Sequence, residues 1–202
     1  MPSALFSPFT WRGVTLPNRV VVSPMCQYVA EDGNATDWHL MHLGQFSMGA
    51  AGLLFTEATA VSAEGRITHG CLGLYSDANE AALGRVVQFC RRHGVAVLGI
   101  QLAHAGRKAS ARTPLAGGAA LAEDERPWTT LAPSALPYGP GWHTPKAMTQ
   151  ADLAKVKDEF VAAAARAARL GFDVIELHMA HGYLLHEFLS PISNQRDDAY
   201  GG

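Results

Sequence analysis

This sequence has no excess charge of one sign: 16 Lys and Arg stand against 18 Asp and Glu in 202 residues, a formal net charge of −2. With no Lys/Arg-rich run there is no basic field to hold a phosphate backbone, so nucleic acid is not an expected partner. Cysteine is scarce. Cys26, Cys71 and Cys90 are widely spaced, with no C-x-x-C, which argues against a disulfide framework and against a structural zinc site. Reduced thiols fit a cytoplasmic setting. Residues 1–10 lack the basic start and apolar stretch of a secretory leader, and no later segment approaches the roughly 20 apolar residues that span a bilayer. The expectation is a soluble, cytoplasmic protein. No strand-to-helix turn carries G-x-G-x-x-G, so a Rossmann dinucleotide site is not expected either.

What is present is a globular composition, 48% hydrophobic and 17% charged, on a chain long enough for one domain with its own core. Four short runs rich in Val, Ile, Leu or Phe predict strands buried on both faces, as in a parallel sheet covered by helices: residues 19–25, 52–59, 95–102 and 172–178. Helix signals lie between them. Asp77 and Glu80 predict a capped start, Leu83, Val86, Val87 and Cys90 share one face, and Gly94 marks the stop. Thr149 and Asp152 form the same kind of start, with Leu153, Val156, Phe160 and Ala164 on the buried face and Gly171 at the end. A less regular helix is expected from about Asp37 to Gly49.

Strand alternating with helix predicts an α/β fold of right-handed βαβ units, either an open doubly wound sheet or a closed barrel. The strand ends favour the barrel, because each finishes in polar or small groups: Ser23 to Cys26, Glu57 to Thr59, Gln101 with His104, and His178 with His181. Functional groups at the carboxyl ends of successive strands are typical of barrel enzymes. Residues 106–148, with Trp128, Tyr138 and Trp142, lack periodicity and read as an extended loop near that face or as a mobile linker. Glu57 and Glu176 fall within strands and are expected to line the barrel interior, where burial demands a cationic partner or a proton.

The stretch His178-Met179-Ala180-His181-Gly182-Tyr183 leaves an apolar strand directly. Two imidazole N–H groups can hold a carbonyl oxygen and stabilise charge gathering there, worth about 3 kcal/mol per well-placed donor. A nearby phenol can supply a proton. Other readings of the pair are loop histidines bonded to backbone, or zinc ligands, although no H-E-x-x-H helix accompanies them.

Six blocks in order extend the pattern: Arg19 to Tyr28, Glu57 to Val61, Gly65 to Thr68, Ile100 to Lys108, His178 to Tyr183, and Asn194 to Gly202. Together they resemble the successive signatures of the old yellow enzyme family of NADH:flavin oxidoreductases, over nearly the whole chain. Cys26 with Tyr28 is similar to the bacterial branch that includes xenobiotic reductases. The resemblance implies a (β/α)8 barrel, FMN as cofactor, NAD(P)H as reductant and reduction of the C=C bond of α,β-unsaturated carbonyl compounds. It implies that Ser23, Pro24, Met25 and Cys26 lie along the flavin, with Ala58 and Gln101 at its pyrimidine edge. Cys26 would tune the ring through a weak S–H contact, or be a small buried hydrophobe. His178 and His181 would grip the substrate oxygen, Tyr183 would protonate the α-carbon, and Tyr28 would help hold the substrate. Without the resemblance, either tyrosine reads as packing with a satisfied hydroxyl.

A complete barrel takes about 250 residues. Only four strands are expected here, so residues 1–202 are read as the amino-terminal half of one barrel domain, a fragment, split or truncated form of a longer enzyme. The flavin-contacting arginine and the phosphate loops are expected from later strands. A half-barrel exposes two strand edges and the apolar interior, so it is expected to self-associate or to need a complementary segment, and as such to be non-catalytic alone.

Overall fold

The continuous apolar runs pair as one parallel sheet. In the computed structural model, residues 3–201 are described; Met1, Pro2 and Gly202, the last residue of the sixth block, lie outside the described residues. A hairpin of β1 (Phe9–Trp11) and β2 (Val14–Leu16) precedes β3 (Val21–Val22), α1 (Asp37–Met48), β4 (Leu53–Ala60), α2 (Asp77–His93) and β5 (Val97–Ala103). Then come β6 (Leu131–Ala132), β7 (Lys146–Ala147), α3 (Gln150–Leu170), β8 (Val174–Leu177) and α4 (Leu184–Leu189). The main sheet runs β3-β4-β5-β8, all neighbours parallel and in the order in which they occur along the chain. Among the described residues no helix is long and apolar enough to cross a membrane.

The helix starts and stops follow local chemistry. Thr149 Oγ1 accepts from Asp152 N while Asp152 Oδ2 accepts from Thr149 N, a reciprocal cap that begins α3. Gly171, at φ 85°, ends it. The start of α2 differs from the expectation. Ser76 is the cap, its Oγ accepting from Asn79 N at 3.1 Å, and Asp77 is the first helical residue. Asp77 and Glu80 instead pair with Arg166, joining α2 to α3.

One core lies between sheet and helices, where Leu54, Leu98, Ile100 and Leu102 meet Leu83, Val86, Val87, Ala163 and Ala167. A second lies on the inner face, where Leu53 and Phe55 meet Leu16 of the hairpin. The inner face also borders an open hollow of about 610 Å³ lined by Trp11, Val21, Phe55 and Val174 among others.

Burial on both faces holds for β4, whose eight residues are all buried, and nearly for β5. It fails at the margins. Val21 on β3 is 47% exposed and Leu177 on β8 is 50% exposed, because each strand has a sheet neighbour on one side only. The expected first strand, residues 19–25, shrinks to two residues: Arg19 N bonds to Leu5 O, and Pro24 has no N–H to add to a ladder. Residues 106–148 form a long, largely irregular loop, as expected, but not a loose linker. They fold through short 3-10 turns and the β6–β7 pair, with Ala109, Ala111, Leu121 and Ala132 buried.

Candidate active site

At the carboxyl end of the sheet His178, His181 and Tyr183 come together. Leu102 on β5 pairs with Leu177, and His178 N bonds to Leu102 O, so His178 leaves the sheet in register with the end of β5. Its ring lies 5.0 Å from that of His181 and 5.1 Å from that of Tyr183, edge to face in both cases. His178 is buried and His181 is exposed. Burial, reinforced by His181, lowers the pKa of His178 and keeps it neutral, leaving one N–H to donate. Among the described residues no three His, Cys, Asp or Glu side chains are grouped so as to hold a metal ion.

Two of the converging residues sit in the left-handed region: Tyr28 at φ 58° and His181 at φ 59°. Each such non-glycine conformation costs about 1–3 kcal/mol and persists only when its surroundings over-determine it. At His181 the constraint is Lys108, whose Nζ donates to His181 O at 2.9 Å. The same ammonium lies 4.8 Å from the Tyr183 ring centroid and 4.9 Å from that of Tyr138, which ties the 106–148 segment over the site. At Tyr28 the neighbour is Gly70, where any Cβ would run into the Tyr28 carbonyl.

Burial pushes the Tyr183 phenol up to about 12, with Cys26, Cys71 and Tyr138 adding to the effect. It therefore keeps its proton through the physiological range. Tyr28 and Cys26 are both shifted up as well, burial being the main cause in each. Tyr183 also lines a small cleft with Ala58, Ala60, Cys71 and Ala103.

The register across three strands places Ala58, Gln101 and Glu176 in one row. Gln101 Nε2 donates to Glu176 Oε1 at 2.7 Å, which fixes the amide plane and gives Glu176 a neutral partner in place of a cation. A bulge in β4 between Phe55 and Ala58 adds one residue against β5. Glu57 consequently turns toward α1, where its Oε1 lies 3.1 Å from His39 Nε2, instead of facing the barrel interior. Ser23 and Met25 are exposed at the end of β3, and Pro24 and Cys26 are half-buried.

His104 does not join the cluster. It is buried, its Nδ1 accepts from Gly106 N at 3.1 Å, and burial lowers its pKa to about 4, so it is a neutral clamp inside the loop after β5. From sequence Lys108 reads equally as holding the loop or touching the chemistry, and the structure has it bonded to His181 O and against Tyr183; sequence reasoning missed Glu187, which is buried on α4 and accepts from Arg107 N at 3.0 Å. The only sequence signal for Glu187 was its position just beyond one of the six blocks.

The model of the NADH:flavin oxidoreductase / NADH oxidase family matches residues 4–202. An NADH:flavin oxidoreductase of Gibberella zeae is 51% identical over 202 residues, covering 98% of this chain and 49% of the relative. An NADPH dehydrogenase of Geobacillus thermodenitrificans is 46% identical over 204 residues, covering all of this chain and 55% of the relative. Among solved structures, morphinone reductase superposes with a TM-score of 0.83 at 30% identity, over 98% of this chain and 54% of that one. The Old Yellow Enzyme from Pichia sp. superposes with a TM-score of 0.84 at 30% identity, over 98% and 52%. The chain spans about half the length of the relatives it matches. It belongs to the NADH:flavin oxidoreductase / NADH oxidase family, that of the old yellow enzymes, and corresponds to about half of their (β/α)8 barrel.

Proposed function

We propose that this chain carries the carbonyl-binding and proton-donating half of an FMN-dependent, NAD(P)H-oxidising ene-reductase acting on α,β-unsaturated carbonyl compounds. The observation that carries the reading is the convergence of His178, His181 and Tyr183 at one strand end, within a chain of this family. A related structure is described as morphinone reductase in complex with tetrahydroNAD, and bacterial relatives are named NADPH dehydrogenase, which supports a nicotinamide reductant.

The residues present fit a flat flavin ring. Pro24 and the half-exposed Met25 offer it a soft apolar surface, Ala58 is small enough for close approach, and the fixed amide of Gln101 suits a pyrimidine edge. Ser23 and Cys26 would line the same edge of the site. When bound and reduced by NAD(P)H, FMN would supply the hydride that adds to the β-carbon. The work of this chain is the rest. Neutral His178 donates an N–H to the substrate oxygen, His181 adds a second contact under the hold of Lys108, and Tyr28 closes the substrate space. Tyr183, protonated because of its burial, donates to the α-carbon.

The full-length protein should purify yellow, bleach with NAD(P)H and reoxidise with cyclohexenone. Tyr183→Phe should slow reoxidation by enone by about 10²-fold or more while leaving reduction by NAD(P)H close to unchanged, read by stopped-flow absorbance. A colourless protein that gains no turnover on adding FMN contradicts the reading.

A further inference from the structure

We propose that the buried pair Glu57–His39 is a positioning pair for Cys26 and Tyr28, holding the bend between them from behind the site. Its functional weight rests on the preceding proposal that these two residues face the flavin and the substrate. The pair itself lies outside that site. The side chains of Glu57 and His39 are 3% and 1% exposed, and the β4 bulge is what turns Glu57 toward α1.

Each atom of the pair has an assignable job. His39 Nδ1 accepts from Thr36 N at 2.9 Å, which puts the ring proton on Nε2; Nε2 lies 3.1 Å from Glu57 Oε1, within ion-pair distance but not aligned as a hydrogen bond. The other carboxylate oxygen, Oε2, accepts from Gln27 N, the amide between Cys26 and Tyr28, at 3.3 Å. The Gln27 side chain is tied at both ends, its Nε2 donating to Met25 O at 2.9 Å and its Oε1 accepting from Trp38 Nε1 at 3.0 Å. Residues 25–28 are therefore bound to α1 and β4 through Gln27, with a further bond from the Cys26 thiol to the backbone of Ala58 on β4, while Tyr28 takes up its left-handed conformation next door. A strained residue stays put only where such ties exceed what the local backbone prefers. The Glu57 carboxylate is also felt at the neighbouring thiol, since it adds to the burial that pushes Cys26 up. Removing its charge eases ionisation of that thiol, and only the thiolate alkylates.

The test is alkylation of the flavin-loaded, full-length protein by iodoacetamide across pH, with Cys26 and Cys90 scored separately by peptide mass spectrometry. In Glu57→Gln, Cys26 should alkylate several-fold faster with its pH midpoint moved to lower pH, and Cys90 should be unaffected. The KM for enone should rise through Tyr28 more than kcat falls. An unchanged rate and midpoint for Cys26 in a folded Glu57→Gln overturns the proposal. Trp38→Phe, at a half-exposed position, frees the Gln27 amide but leaves the Glu57 charge in place. It should raise the Cys26 rate without moving the midpoint. If Glu57→Gln does not fold, Trp38→Phe decides, and a wild-type rate there overturns the tie through Gln27. Wild-type protein that lacks flavin turnover contradicts the ene-reductase reading instead, and leaves the alkylation result as a statement about Cys26 alone.

Discussion

Glu187 shows how one residue couples the loop behind the site to solvent pH. It is buried on α4, and its Oε1 accepts from Arg107 N at the turn where Gly106 takes φ 61° and any Cβ would collide with the carboxyl group. Burial outweighs that N–H and the nearby charges of Arg107 and Lys108, and raises the carboxyl pKa to about 8. The folded chain therefore holds a proton that the unfolded chain releases above the ordinary carboxylate range. Stability from this group is present at low pH and is lost as pH rises through about 8. Glu187→Gln keeps the acceptor for Arg107 N and cannot ionise. Its thermal midpoint should fall less between pH 6 and pH 9 than that of the wild type, and an equal fall in both would contradict the assignment. His178 and Tyr183, in contrast, were legible from sequence, because both leave an apolar strand at the end where barrel enzymes place their chemistry.

The elements differ in how far local sequence decides them. The α3 cap is local: Lys146 Nζ at 2.8 Å, Thr149 N and Thr149 Oγ1 all donate to the Asp152 carboxyl and hold it down at about 2. Thr149→Ala should cost about 1 kcal/mol, seen as a lower denaturant midpoint with an unchanged m-value. At α2 the same kind of signal was placed one residue late, since Asp77 is also a capping residue and only the backbone turn at Ser76, φ −138°, distinguishes them. The β4 bulge had no sequence signal at all. Strict alternation from Leu53 and Phe55 puts Glu57 inside the barrel, and the extra residue swings it out to His39 and brings Ala58 level with Gln101. Two strands, β3 and β8, are shorter and more exposed than their apolar sequences predict, because burial depends on neighbours that a strand does not encode.

At the scale of the whole molecule, the sheet has, among the described residues, two unpaired margins and an open inner face. Val21 on β3 is 47% exposed, Ile175 and Leu177 on β8 are 39% and 50% exposed, and the hollow on the inner face holds about 610 Å³. Such edges and patches bind whatever completes them. A polypeptide of residues 1–202 alone should elute from size exclusion as a self-associated species. Co-expression with a segment supplying the remaining strands should shift it to a compact complex. A monodisperse monomer of these residues would contradict this.

The sequence by itself determined the alternation of strand and helix, the parallel sheet and the group of residues at its carboxyl end. These follow from hydrophobic period, helix stops and the placement of polar groups at strand ends, all of which are local in the chain. Only the tertiary structure decided which polar residue faces which. Lys108 reaches His181 from 73 positions away, Glu57 reaches Gln27 from 30, and Gln101 meets Glu176 across 75. Contacts of that span depend on strand register and on a single bulge, and one residue of slip exchanges the two faces of a strand.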